Sequence, residues 1–303
     1  MPRTAPGGIL PVFQTPLHDD ESIDFETLSR EIAWLYDQGA DGIVMAMVSE
    51  TLRLSSEERD ELARQACGFG RERGQVVISV GAESTRVAIR HAEHAERSGA
   101  TAMMAIPPVA TACDPADLLV YFRALLKATS IPLIVQDASG YVGRPLPIGM
   151  LADLLGEYGS ERILFKPEAT PIGPRLSALR DATKGEAKVF EGSGGIALVD
   201  SYRRGIVGTM PGADLITAII ALWKALEAGN EARVTRIGSL LTDIVSLQCG
   251  LDGFLAVEKH LLVKQGVFTS TRVRGPVGFH LDDETRREVD RRFEALMAAV
   301  QSN

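Results

Sequence analysis

Cysteine is scarce. Cys67, Cys113 and Cys249 are the only three in 303 residues, odd in number, far apart and in no metal-like spacing. That excludes a disulfide-stapled scaffold and suits a reducing cytoplasm. Positive charge is not in surplus either: 32 Lys and Arg against 40 Asp and Glu leave a net charge of -8. Nucleic acid is therefore not an expected partner, because gripping a phosphate backbone needs concentrated basic surface. No apolar run approaches the roughly 18 residues that would cross a bilayer; the stretch 218–223 is among the longest. The opening Met1-Pro2-Arg3-Thr4-Ala5-Pro6-Gly7-Gly8 lacks the apolar core of a signal peptide. A cytoplasmic protein with no membrane partner is the expectation. Finally, no Gly-x-Gly-x-x-Gly follows the first β-rich run, and Gly192-Ser193-Gly194-Gly195 comes too late and is too short to suggest a dinucleotide fold.

What is present is alternation. Short β-rich runs at 9–13, 42–46, 76–80, 102–106, 132–135, 163–165, 188–191 and 206–209 are separated by amphipathic stretches at 24–38, 55–70, 84–98, 114–129, 147–158, 174–183 and 195–203. Eight such units predict an α/β fold, a (β/α)8 TIM barrel. Cap signals support the helices: Asp24, Ser55 with Glu58 three residues on, and Asp114 before Pro115 at starts, Gly39 and Gly99 at ends. From 214 onward only helical patterns follow, at 214–228, 230–248, 252–266 and 282–299. The first would close the barrel, so the chain divides into a barrel, 1–228, and a C-terminal helical extension, 229–303.

Barrel enzymes build their sites where strands end. The polar residues there are Gln14, Thr15, Ser49, Glu50, Glu83, Ser84, Gln136, Asp137, Lys166, Glu168, Glu191, Ser193 and Thr209. Lys166 closes the apolar run Ile163-Leu164-Phe165, and a lysine at the rim of such a strand can lose its proton and attack a carbonyl. Glu168, two residues on, shares its face if the chain stays extended through Pro167. From this spacing alone the pair reads equally as a proton-shuttling couple or a rim salt bridge. His91 and His94 sit on a helix with Glu93 and Glu96; a solvated helix face is expected there rather than a metal site. His280 to Glu284 reads as a helix start, and Arg286, Arg287, Arg291 and Arg292 as a solvated face.

Several blocks together make the chain resemble the dihydrodipicolinate synthase and N-acetylneuraminate lyase family. These are Gly8 to Pro16, Gly42 to Glu50 with Leu54-Ser55-Ser56-Glu57-Glu58-Arg59, Pro107-Pro108, Ile131-Pro132, the lysine after the sixth strand, and Gly205 to Gly208. The resemblance covers residues 8–279. It implies a homo-oligomer, dimer or tetramer, and a Schiff base between Lys166 and a small-molecule 2-keto acid, with no metal and no cofactor. The chain departs from the family's synthases and aldolases at Ala46-Met47-Val48-Ser49-Glu50, at Gln136 and at Val109, where hydroxyl-bearing residues form a proton relay. Ser49-Glu50, Val135-Gln136-Asp137-Ala138, Phe165-Lys166 with Glu168, Thr170-Pro171 and Glu191-Gly192 are instead similar to the 2-keto-3-deoxy-L-arabonate dehydratase branch. That similarity implies a lyase converting a 2-keto-3-deoxy sugar acid to α-ketoglutarate semialdehyde. Lys166, Glu168 and Gln136 would be catalytic, with Ser49 a further orienting partner of Glu168. Met47, Val48, Ser49, Glu50, Asp137, Ser193 and Thr209 would bind substrate. A retro-aldolase releasing pyruvate and a keto-acid-binding barrel without turnover are the alternatives.

Overall fold

A computed structural model describes residues 6–248 and 250–302; Cys249 lies outside the described residues, so only Cys67 and Cys113 can be placed, both as free thiols. Among the described residues eight parallel strands run in the order β1 (Gly8–Ile9), β2 (Gly42–Met45), β3 (Gln75–Ser79), β4 (Ala102–Ala105), β5 (Leu133–Asp137), β6 (Ile163–Pro167), β7 (Phe190–Glu191) and β8 (Gly208–Thr209). β2 to β6 form one continuous ladder and β7, β8 and β1 another. Single parallel bridges, Val12 to Val44 and Phe165 to Val189, join the two. The sheet thus closes into the barrel predicted from the alternation. β1 is shorter than the run 9–13 because Pro11 has no N–H to give to a ladder, and pairing resumes only at Val12.

Period-two alternation sorts the strand residues into two layers. Leu10, Val44, Val77, Met104, Ile134, Leu164, Phe190 and Met210 fill the barrel interior. Ile43, Met45, Ile78, Met103, Leu133, Val135, Ile163 and Phe165 point outward. There they pack against α1 (Phe25–Gln38), α2 (Ser56–Gly70), α3 (Thr85–Ser98), α4 (Pro115–Ala128), α5 (Ile148–Tyr158), α6 (Ile172–Ala182), α7 (Leu198–Arg203) and α8 (Ile216–Glu227). Asp24 accepts from the Thr27 N–H, and Ser55 and Glu58 form a reciprocal capping box. Asp114 makes no side-chain cap, leaving Pro115 as the start signal. Helix α6 begins two residues before the expected Pro174, which a first turn tolerates because its N–H would have no intrahelical partner anyway.

The expected solvated face at His91 is corrected. His91 is buried and its Nδ1 lies 2.6 Å from Asp60 Oδ1, while His94 Nε2 lies 2.8 Å from the Asp60 carbonyl oxygen. Both seal α3 against α2, and burial with the nearby Arg59 charge lowers the His91 pKa.

After α8 come α9 (Glu231–Val245), α10 (Gly250–Lys264) and α11 (Asp283–Gln301). Their apolar faces, including Ile237, Leu241, Leu262, Val289 and Leu296, share one core with the barrel helices. Arg286, Arg287, Arg291 and Arg292 pair with Asp283, Glu284 and Glu288 one turn away, as a solvated face should. The loop between α10 and α11 returns to the barrel top, where Arg274 donates to both Glu58 oxygens at 2.7 and 2.9 Å. Among the described residues no single helix is long and apolar enough to cross a membrane.

Candidate active site

Register decides which side chains meet. β5 and β6 pair Gln136 with Lys166, and both continue the inward positions Ile134 and Leu164, so alternation carries them into the barrel mouth one layer above the apolar interior. Glu168 follows on the same face. Lys166 Nζ donates to Glu168 Oε1 at 2.8 Å, and Gln136 Nε2 donates to Glu168 Oε2 at 2.6 Å. All three are buried, Lys166 at 4% exposure. Burial pushes the Glu168 carboxyl above its ordinary range, partly offset by Lys166 and the Gln136 hydrogen bond. Gly192, after β7, completes the seat. A Cβ there would stand 2.5 Å from Lys166 Cε, closer than any carbon contact allows, so the lysine lies where a side chain would otherwise be.

Lys166, Glu168 and Gln136 open on a narrow cavity of about 40 Å³, also lined by Met47, Val48, Tyr141, Met210, Phe254 and Glu258. That is narrow, far below the roughly 300–1,000 Å³ of a pocket for a drug-sized ligand. A larger cleft of about 620 Å³ lies between α10 and the loop before α11, but it holds no strand-end lysine. Met47 and Val48 open a 3-10 turn, Met47–Ser49, whose first N–H groups have no acceptor within the turn.

The remaining sequence-derived candidates stand outside the cavity lining. Ser49 does not orient Glu168: its hydroxyl donates to the Phe13 carbonyl at 2.5 Å and accepts from the Ala46 N–H, because the turn folds it back toward β1. Glu50 pairs with Lys259 and accepts from the Arg274 N–H at 2.9 Å. Asp137 accepts from Ser139, the Leu146 N–H and Arg175, fastening the loop that carries Tyr141. Ser193 and Thr209 both donate to Glu191, the latter at 2.7 Å. Glu83 likewise anchors the loop after β4 through the N–H groups of Val109 and Ala110. No group of three or more metal-ligating side chains occurs among the described residues.

Tyr141, Phe254 and Glu258 escape sequence reasoning. Gln136 and Val109 carry no hydroxyl, yet Tyr141 brings a phenol to the cavity from five residues beyond Gln136, edge-on to Phe254 with ring centroids 5.7 Å apart. Burial, with Glu168, Glu191 and Glu258 nearby, raises its pKa. Glu258 did leave a signal. With Leu255, Lys259 and Leu262 it follows the i, i+3, i+4, i+7 spacing of a helix's apolar stripe, where a charged residue is out of place unless a partner or a site needs it.

The profile of the Dihydrodipicolinate synthetase family matches residues 5–296. L-2-keto-3-deoxyarabonate dehydratase of Azospirillum brasilense is 29% identical over 304 residues, 96% of this chain and 95% of that one. The 4-hydroxy-tetrahydrodipicolinate synthase of Methanosarcina mazei is 27% identical over 66% of this chain and 68% of its own. Among solved structures, dihydrodipicolinate synthase from Rhodopseudomonas palustris superposes with a TM-score of 0.86 at 23% identity, covering 96% of this chain and 98% of that one. A prophage protein of the dihydrodipicolinic acid synthase family from E. coli K12, in complex with pyruvate, gives 0.85 at 23% identity and the same coverage. At these identities the structures establish a shared fold. With the family profile spanning nearly its whole length, this (β/α)8 barrel belongs to the dihydrodipicolinate synthetase family, a family of lyases.

Proposed function

We propose that the protein is a Schiff-base dehydratase of a 2-keto-3-deoxy sugar acid, with 2-keto-3-deoxy-L-arabonate the preferred substrate and α-ketoglutarate semialdehyde the product. The observation that carries the reading is Lys166, buried in a narrow cavity with Glu168 Oε1 2.8 Å from its Nζ. The dehydratase relative, matched over nearly its full length, supports the substrate. In this reading neutral Lys166 attacks the C2 ketone and water leaves, giving an iminium that draws electrons from C3. Glu168, held by Gln136, takes the C3 proton and yields the enamine. The C4–O bond then breaks, the hydroxyl departs as water, and the conjugated iminium tautomerises and is hydrolysed from the lysine. The Met47 and Val48 N–H groups suit the substrate carboxylate, since main-chain donors do not depend on the side chains around them. The lysine itself serves as the electron sink. The cytoplasmic location, the homo-oligomer and the division at residue 228 belong to the same proposal.

Tyr141 favours a second reading. A phenol in the cavity could accept the C4 hydroxyl proton while passing its own to a nearby carboxylate, relaying charge as C3–C4 breaks, a retro-aldolase reaction that releases pyruvate. Incubation with a panel of 2-keto-3-deoxy sugar acids, with borohydride trapping and intact-mass analysis, separates the possibilities. The expected outcome is a semialdehyde product and a reduced adduct on Lys166. Accumulating pyruvate would establish the retro-aldolase, and an adduct without turnover would establish a binding barrel. No adduct, or the same adduct in Lys166→Ala, would refute the Schiff base.

A further inference from the structure

The cavity has a second acid wall that the steps above leave unused. Glu258, on α10, is 2% exposed and lines the cavity together with Lys166 and Glu168. Its Oε2 accepts from Gln14 Nε2. Its Oε1 lies at Gly212, where a Cβ would stand 2.6 Å from it and 2.9 Å from Asp214 Oδ1, so two carboxyl groups flank one glycine. Behind Gln14, Glu31 on α1 accepts from the Gln14 N–H at 2.9 Å. Lys259, the next residue along α10, offsets these charges only in part, because its hydrogens are donated elsewhere, to Glu50, to the Thr15 carbonyl and to the Arg272 carbonyl. Glu31 Oε2 and Asp214 Oδ2 are buried with no hydrogen-bond partner among the described residues. Ionised oxygens so placed would lose their hydration with no return, so burial favours the protonated form of these carboxyl groups.

Glu168 is committed to the C3 proton and begins the cycle as the ionised base, so a separate acid is needed at C4. Its two oxygens are occupied by Lys166 and Gln136, which ties it to the imine side of the cavity. We propose that Glu258 is the acid that protonates the departing C4 hydroxyl, so that the two carboxyl groups divide the proton work. The assignment rests on the dehydratase reading above. As the enamine forms C3=C4, the C4–O electron pair leaves with oxygen, which takes the Glu258 proton and departs as water. The C3 proton remains on Glu168. The Glu258 carboxylate then takes a C5 proton as the conjugated iminium becomes a dienamine, and Glu168 returns its proton to C3. The C5 enol tautomerises to the aldehyde through solvent, leaving both acids as they began. Pushing the titrations of two carboxyl groups apart is how one site holds a base and an acid at one pH.

The groups facing Glu258 are Asp214 after β8, Glu31 on α1, Lys259 on α10 and Tyr141 after β5. Burial first and the Asp214 charge second raise the Glu258 pKa well above the usual range, while burial raises Asp214 to about 7. Because Glu258 must be protonated to act, turnover falls as pH rises through its pKa. Asp214→Asn removes a like charge, so that falling limb should move to lower pH.

The deciding experiment compares wild type and Glu258→Gln in three measurements: borohydride trapping with pyruvate, exchange of the pyruvate C3 hydrogens in deuterated water, and dehydration of 2-keto-3-deoxy-L-arabonate. Glu258→Gln should keep adduct formation and C3 exchange within about threefold and lose dehydration by at least about a hundredfold. Dehydration within about fivefold of wild type overturns the assignment. So does loss of C3 exchange in a variant that still forms the adduct, which would place Glu258 before C–O cleavage. A wild type that forms the adduct but never eliminates water overturns the dehydratase reading instead.

Discussion

Two buried lysines stand on either side of the same barrel mouth and do opposite things. Lys259 is fully buried, and its ammonium donates to the Glu50 carboxylate and to two backbone carbonyls, those of Thr15 and Arg272. An ammonium has three hydrogens, so Lys259 is saturated, and it ties α10 and the loop before α11 to the barrel. Lys166 is 4% exposed and has Glu168 as its hydrogen-bond partner, in the wall of a cavity. A lysine whose three hydrogens are all donated is held in place, whereas one with a single acid partner and open space beside it is free to meet a carbonyl and form a new bond. Residue type and burial do not separate the two; the count of acceptors does.

The widest separation should come from removing each lysine. Lys166→Ala is expected to lower turnover by at least about 10⁴-fold while costing only about 1–2 kcal/mol of stability, because water in the cavity can solvate Glu168. Lys259→Ala leaves Glu50 buried without its cation and should cost about 3–5 kcal/mol in urea unfolding. Equal losses of stability in the two would remove the distinction. Glu168→Gln comes next: adduct formation with pyruvate persists and turnover falls about 10²–10⁴-fold. In the wild type, activity should rise with pH through the elevated Glu168 pKa, since the base must be ionised; that rising limb should vanish in the variant. The smallest effect belongs to Gly192→Ala, whose methyl would push on Lys166 Cε. A displaced nucleophile should lower turnover roughly 10–100-fold, and an unchanged rate would show that Lys166 reacts from another rotamer.

The Lys166 side of this comparison was legible in the sequence and the Lys259 side was not. Lys166 ends an apolar strand run, and the two-residue step to Glu168 put both on one face, as the 2.8 Å contact bears out. The pairing of Gln136 with Lys166 follows from adjacent strands of equal register. Glu50, by contrast, looked like a strand-end ligand for substrate. Its partner lies 209 residues away on α10, and no local pattern carries that information. Ser49 failed as a partner of Glu168 for a related reason: a 3-10 turn rotated its hydroxyl toward Phe13. The signal at Glu258 and Lys259, two charges on an apolar helical stripe, says that something must satisfy them without saying what.

By itself the sequence determined the eightfold alternation, the helices that follow it, and the place of Lys166, Glu168 and Gln136 at neighbouring strand ends. Those properties arise from hydrophobic periodicity and the short-range geometry of strands and caps, which a chain carries locally. Only the tertiary structure decided which acids share the cavity. It brought α10 over the barrel mouth, set Glu258 beside Asp214, turned Glu50 to Lys259 and Ser193 and Thr209 to Glu191. Buried polar groups must find partners wherever the fold places them. That accounting is made in space, across separations that periodicity cannot span.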